Sequence, residues 1–543
     1  MSKKISQGNK AKKQLKKGVD ALANAVKVTL GPQGRNVMIE RPFGDPLVTK
    51  DGISVAKEIL LPNRLQNMGA QFVKAAASKT NDKAGDGTTT ASVLTQAIVS
   101  EGMKAINNGA NPVQLQRGIS LGAKLVIEQL NTLRVEIGDT GAGLEQIAFI
   151  SSNNDEVIGK LIGEAYSKVG KDGVISVEQS KDTTTYVDLA EGMKVESGYS
   201  HPYFVNDKKK GEVFLEDAYV LMTEDKISSF NTAIKNVMDI SIGAGKSLVI
   251  IGDVEGQAME ALLVNAYENG VKVAVLKAPG FGERKKELLE DISYVLGGKI
   301  ISKDRGKYLN KVTAADFGKC ETVKMDYHDT LLIGGQGTKE MIQFRVDELE
   351  NLKPMAENDY ELKQLEKRIA SLKGGIGVIY VGAPTEAEMK EKMDRVEDSK
   401  NATRAALEEG IVCGGGIALL QAKKLVLDNL KIEDGYLEEG VSIVLKALEA
   451  PIRCIIDNAG FTSDVIVENV LKSELPNYGF DAKQGVQRND MIEAGIIDPV
   501  KVTRIALENA ASAAGMLLTT ECTITTLMEK VPESQGTQGR QRF

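Results

Sequence analysis

At 543 residues, with 42% hydrophobic, 26% charged and 5% aromatic residues, the chain is too long for one core and has the composition of a globular protein of several domains. A net charge of −7 argues against nucleic acid as the principal partner, and no uninterrupted apolar run reaches the length of a membrane span. Cys320, Cys413, Cys454 and Cys522 have no paired spacing, and His201 and His328 are the only histidines, which argues against a disulfide framework or a zinc site and fits a reducing cytoplasm.

The Lys-rich start has no apolar signal core behind it; Val19, Leu22, Ala23 and Val26 follow at helical spacing, which predicts a folded helix with a basic face. The run Thr29-Leu30-Gly31-Pro32-Gln33-Gly34-Arg35 ends that helix. Asn36 to Glu40 read as a short strand, Arg41 to Asp45 as a turn, and Leu47 to Thr49 lead into the tight turn Lys50-Asp51-Gly52. A helix from about Leu65 to Lys79 delivers the chain to Thr80–Thr90, a polar, Gly-rich run containing Asp86-Gly87-Thr88-Thr89-Thr90. Ala91, Val93, Leu94, Ala97 and Ile98 then form an apolar stripe, so the run opens a helix. A helix start carries unpaired N–H groups and a partial positive charge suited to phosphate. Asp86 adds a carboxylate suited to Mg²⁺. On these residues alone, an ordinary helix cap with threonine filler is an equal alternative.

From about Ser151 the pattern changes to short strands, Gly173 to Val177 and Tyr186 to Leu189. The strand Ser247–Ile251, the helix Ala258–Tyr267 and the strand Val271–Val275 form a βαβ unit within a separate α/β domain. Gly245-Lys246-Ser247 is not a phosphate-binding P-loop: Ile240 stands where the first Gly belongs, and the motif enters a strand. Charged helices over Lys339–Leu352 and Asp359–Leu372, broken near Pro354, read as solvated and salt-bridged. After the strand Ile376–Val381, Thr385 and Glu388 make a capping box for a helix that carries Asp398. Beyond Gly414-Gly415-Gly416 the chain returns to Ala-rich helices like those of its beginning, so the economical reading is one domain built from both ends with the middle inserted. Pro532 to Phe543 read as disordered. Asp398 by itself is an exposed helix acid; paired in space with Asp86 it could place a water for attack on a phosphoryl group.

In this order, Thr29 to Pro32, Lys50 to Gly52, Gly85 to Thr90, Val396-Glu397-Asp398-Ser399 and Gly414 to Gly416 resemble a group I chaperonin, the 60-kDa GroEL type. So do Lys277-Ala278-Pro279-Gly280-Phe281-Gly282 and Gly495-Ile496-Ile497-Asp498-Pro499, and the likeness runs from about Lys10 to Lys530. The resemblance implies a multidomain fold: a mainly α-helical equatorial ATPase domain from residues 1–134 and 410–530, a small α/β intermediate hinge domain from 135–190 and 376–409, an inserted α/β apical domain over 191–375, and a disordered tail over 531–543. It implies ATP, Mg²⁺ and K⁺ as cofactors. Thr29, Leu30, Gly31 and Pro32 would contact the nucleotide, with the backbone of Thr29 and Lys50 beside K⁺. Asp86 would ligate Mg²⁺, and Gly87, Thr88, Thr89 and Thr90 would bind phosphates. Asp398 would position the attacking water with Asp51 assisting, and Ser151 would lie at the hinge end of the pocket. Gly415 and Asp498 would reach the ribose; Phe480, Asp481 and Ala482 with Ile496 would border the adenine, Phe480 and Asp481 replacing the family's usual Tyr and Asn.

Tyr199, Tyr203, Phe204, Ile234, Val237, Met259, Leu263 and Val264 match the family's polypeptide-binding face. Ile234/Val237 and Met259/Leu263 have the spacing of helix core stripes, whereas the resemblance favours an exposed groove. His201 departs from the small polar residue common there, and the tail lacks the usual Gly-Met repeats. The implied partners are further copies of the chain in seven-fold rings, stacked as a double ring, a small co-chaperonin lid and unfolded polypeptides, in the cytoplasm, with no nucleic acid or membrane. A phosphotransferase using the same pocket predicts a compact monomer or dimer with a specific acceptor site; a passive holdase predicts no turnover.

Overall fold

The computed structural model describes residues 2–526 apart from 42–45, 137–146, 150–154, 171–172, 181, 209, 231–233, 281, 357 and 430–434. Pro42 to Asp45 of the expected turn, Ser151 and the tail 531–543 therefore lie outside the described residues. The chain divides into two compact units, Met1–Lys160 with Asp394–Phe543, and Leu161–Met393. The first is assembled from both chain ends around an insertion, as the change in pattern along the chain predicts. The segments read as a hinge are shared, 135–160 and 394–409 in the first unit, 161–190 and 376–393 in the second.

The first unit is a stack of helices. Gly8–Val26 buries Leu15, Val19, Leu22 and Val26 on one stripe and packs on Arg64–Ala84. Arg64–Ala84 starts at Asn63, whose side chain accepts from the N–H groups of Leu65 and Gln66. Thr88–Asn107 and Pro112–Leu133 follow, the latter capped by Asn111 with Pro112 in the first turn, where its missing N–H costs nothing. The Ala-rich helix Val500–Thr519 packs against these last three helices. Leu94, Ile98, Ile119, Leu130, Val441, Leu507 and Leu517 are buried in their shared core. The strand Lys3–Gln7 pairs antiparallel with Cys522–Thr526, Lys3 opposite Thr526.

The second unit holds two sheets. The larger runs in the order Gly192–Val195, Thr330–Gly335, Gly318–Met325, Val213–Thr223, Ser247–Ile251, Val273–Leu276, and the last three are parallel. Its core includes Val220, Leu221, Val249, Ile250, Leu276 and Leu289. The smaller has Ile376–Val381 between Val174–Gln179 and Tyr186–Ala190. Gly245-Lys246-Ser247 is a strand-entry turn: Lys246 pairs with Asp217, and Ser247 Oγ donates to the Glu216 carbonyl at 2.7 Å. The charged helices Lys339–Leu352 and Asp359–Lys373 are not solvated throughout. Ile342, Val346, Leu349, Leu365 and Ile369 are buried, and Arg345 and Arg368 turn inward onto the buried Asp291, at 2.9 and 2.7 Å. The charge pattern of these helices reports their outer faces only.

Candidate functional site

The Asp86 loop is the shortest of links. Arg64–Ala84 ends at Gly85 and Thr88–Asn107 begins after Gly87, leaving Asp86 between two glycines. Gly87 sits at φ 83°, where a side chain is strained, and as N-cap it offers no side-chain oxygen to the first turn. The helix start therefore keeps its N–H groups and its positive end for another acceptor. Asp86 Oδ1 accepts from Gly87 N at 2.5 Å. Thr88 is buried, and Thr89 Oγ1 lies so close to Gly52 that a Cβ there would stand 2.1 Å from it. The Asp51 turn is thus brought to the start of the Thr88 helix. Asp51 caps Gly52–Glu58, its carboxylate accepting from Ile53 N at 3.0 Å and Ser54 N at 2.9 Å. Thr29, Leu30 and Gly31 are half-buried; Pro32 and Lys50 are exposed.

Asp398 arrives from the other end of the sequence on the helix Glu386–Glu409. One turn on, Asn401 packs on the loop itself: a Cβ on Gly85 would stand 2.3 Å from Asn401 Cβ. Ser399 Oγ donates to the Ala148 carbonyl at 2.6 Å. Asp498, on the strand Ile497–Pro499, accepts from the N–H groups of Gly415 and Gly416. Burial raises the Asp398 carboxyl well above the usual carboxylate range, and the charges of Asp86, Asp51, Asp394 and Glu397 add to it. Burial also raises Asp86, opposed by the Gly87 N–H and helped by Asp51. Asp498 is pushed up to about 7, by burial first and by Asp86 next. The charge of Asp86 therefore reaches both Asp398 and Asp498, and that of Asp51 reaches Asp86 and Asp398, so a cation beside Asp86 would relieve the repulsion.

Among the described residues no three acidic, His or Cys side chains form a ready-made metal cage. Carboxylate oxygen beside an open helix start suits Mg²⁺ nonetheless, because that ion is commonly held by one or two carboxylates together with substrate phosphates.

On the far side Gly415 lies against Met491 and Ile496, and Phe480, Ala482, Met491 and Ile496 share one apolar cluster. Phe480 stands edge-on to Phe461, ring centres 5.3 Å apart. Asp481 is buried and satisfied within its own turn: Oδ1 accepts from Lys483 N and Gln484 N, and Oδ2 from Arg488 Nη2 at 3.1 Å. Sequence reading missed Asn401; its signal was helical spacing from Asp398.

The expected polypeptide face separates into two groups. Tyr203 is 60% and Val264 46% exposed, with Tyr267, which was not singled out, at 64% and stacked on Tyr203. Tyr199, Met259 and Leu263 are half-buried against the core. Phe204, Ile234 and Val237 are buried in that core, so the exposed-groove expectation is corrected at these three: Ile234 and Val237 pack inward as an ordinary amphipathic face does, and Phe204 is buried from the short turn Pro202–Phe204.

The chain belongs to the TCP-1/cpn60 chaperonin family, whose model matches residues 22–527. Two crystal structures of the chaperonin gp146 from the bacteriophage EL 2 (Pseudomonas aeruginosa), both in presence of ATP-BeFx, are similar in fold. Crystal form II matches with a TM-score of 0.68 at 22% identity, covering 97% of this chain and 99% of that one. Crystal form I matches with a TM-score of 0.64 at 23% identity and the same coverage. No described helix is long and apolar enough to cross a membrane.

Proposed function

We propose that the chain is an ATP-driven folding chamber. Copies assemble into seven-fold rings in the cytoplasm, capture non-native polypeptides on apolar surfaces and enclose them under a co-chaperonin lid, timed by ATP binding and hydrolysis. The observation that carries the reading is that Asp86 and Asp398, more than 300 positions apart, meet in one electrostatic field at an uncapped helix start. The phage chaperonin of similar fold was crystallised in presence of ATP-BeFx, which supports a nucleotide as the ligand.

In this reading residues 1–134 and 410–530 bind nucleotide, 135–190 and 376–409 serve as a hinge, and 191–375 bind polypeptide and lid. Thr29 to Pro32 and Gly87 to Thr90 receive the nucleotide and its phosphates, Gly415 and Asp498 the ribose, and Phe480 to Ala482 with Ile496 the base. Asp86 would hold Mg²⁺, and backbone oxygens of Thr29 and Lys50 would adjoin K⁺; these ions supply neutralisation of the phosphate charge. Asp398 orients the attacking water, assisted by Asp51. A carboxyl held above its usual range accepts a proton more readily near neutral pH, which suits Asp398 to that role. Phosphoryl transfer asks for such positioning and charge more than for covalent chemistry.

Particle mass by light scattering, with ATP turnover assayed on the same peak, tests the reading. A ring-sized particle with Mg²⁺-dependent turnover is expected; a particle of one or two subunits overturns it.

A further inference from the structure

The turn Lys27–Gly31 is held from behind by a helix that carries none of the candidate site residues. Ala450–Asn458 turns Cys454 and Ile455, and one helical turn on Asn458, toward it. Asn458 Nδ2 donates to two carbonyls of the turn, Lys27 O and Leu30 O, at 2.9 Å each. Cys454 Sγ lies 3.3 Å from the same Lys27 O. Burial pushes that thiol up to about 11, so it is uncharged at neutral pH and adds at most a weak S–H contact. Ile455 packs on Gly31, where a Cβ would stand 3.0 Å from Ile455 Cγ2.

The two carbonyls bonded by Asn458 bracket the stretch Val28–Thr29, one before it at Lys27 and one after it at Leu30. The turn's own bonds are Leu30 N to Lys27 O at 3.2 Å and Arg35 N to Val28 O at 2.8 Å, and the Thr29 hydroxyl donates back to Val26 O at 2.9 Å. One amide thus spends both donor hydrogens on the Lys27–Val28 and Leu30–Gly31 peptides, which bracket the segment that carries Thr29. An aspartate has the same size and shape but only accepts when ionised, and a leucine has neither donor nor acceptor.

We propose that Asn458 is a positioning residue for the nucleotide: it holds the Thr29–Pro32 backbone in the shape that receives the nucleotide and its adjoining monovalent cation. The inference rests on the nucleotide reading above. Asn458 acts through the turn and is not a catalytic residue. Its loss therefore weakens binding and leaves the chemical step at saturation largely intact.

The test compares Asn458→Ala and Asn458→Asp with the unchanged full-length chain, using Mg²⁺-ADP for affinity and ATP for turnover, with Asp86→Ala as control. Losing two hydrogen bonds predicts an affinity loss of about tenfold in Asn458→Ala. Asn458→Asp should lose at least as much, because a carboxylate then faces two carbonyl oxygens. In both, KM for ATP rises and the K⁺ concentration needed for half-maximal turnover rises, while kcat stays within about twofold. Unchanged affinity in Asn458→Asp overturns the proposal; so does a fall in kcat at unchanged KM, or misfolding of both variants with no separable loss of affinity. If Asp86→Ala loses nucleotide while the Asn458 variants keep it, the positioning role alone fails. If Asp86→Ala binds Mg²⁺-ADP normally, the nucleotide reading fails.

Discussion

Asp398 and Asp498 are two carboxyls that one environment raises but bonds differently. Both are raised by burial and by Asp86, but Asp498 is also bonded by the N–H groups of Gly415 and Gly416. Asp398→Ala should keep nucleotide affinity and lose turnover by about 100-fold or more, the size of a lost general base. Phosphate release at saturating ATP measures it, and unchanged turnover would remove Asp398 from the chemistry. Asp498 makes a claim about pH. Its ordinary value is 3.8 and its folded value about 7, so the unfolded chain gives up this proton first as pH rises. Its contribution to stability is full below about 3.8, falls as pH climbs toward 7, and is flat above. Asp498→Asn, which can still accept from Gly415 and Gly416, escapes that loss. Melting temperatures of the nucleotide-free proteins should therefore favour the variant progressively more from pH 5 to pH 7.5. A difference that is constant or shrinks with pH would contradict the assignment.

At the scale of elements, much was legible. The Lys339–Leu352 helix, the strand Ile376–Val381 and the Thr385 cap follow from periodicity and capping chemistry, and the structure reproduces them. The loop around Asp86 was legible as a helix start for the same reason. The meeting of Asp86 with Asp398 was not, because local rules carry no information about residues hundreds of positions apart; resemblance supplied it. Asn458 was less legible still, an amide at a helix end whose partner Leu30 lies 428 positions away. Ile234 and Val237 mark the opposite limit: an apolar stripe reads alike whether it faces a core or a client. The contact of Asn401 with Gly85 binds the Asp398 helix to the Asp86 loop. Gly85→Ala would force a Cβ into Asn401 at φ 73°, a backbone region that costs a side chain about 1–2 kcal/mol. Denaturant unfolding should show at least that loss, with a parallel fall in ATP turnover, and full turnover would show that the helix does not depend on this contact.

For the whole molecule, the proposed function assigns two tasks to the two units of the chain. The acids of the candidate site all lie in the unit built from the chain ends, and Tyr203, Val264 and Tyr267 lie in the inserted unit. Tyr203→Glu should therefore weaken capture of an unfolded protein, while ATP turnover without client is unchanged. Capture equal to that of the unchanged chain would move polypeptide binding away from this aromatic patch.

The pairing of Lys3–Gln7 with Cys522–Thr526 sets a schedule for the protein's own birth. The first strand leaves the ribosome 523 residues before the end of its partner, at ordinary elongation rates a wait of about half a minute to nearly two minutes. Throughout that interval Ile5 lacks its partner strand, and Lys3 and Lys4 beside it are charges of the kind that blunt pairing with another chain.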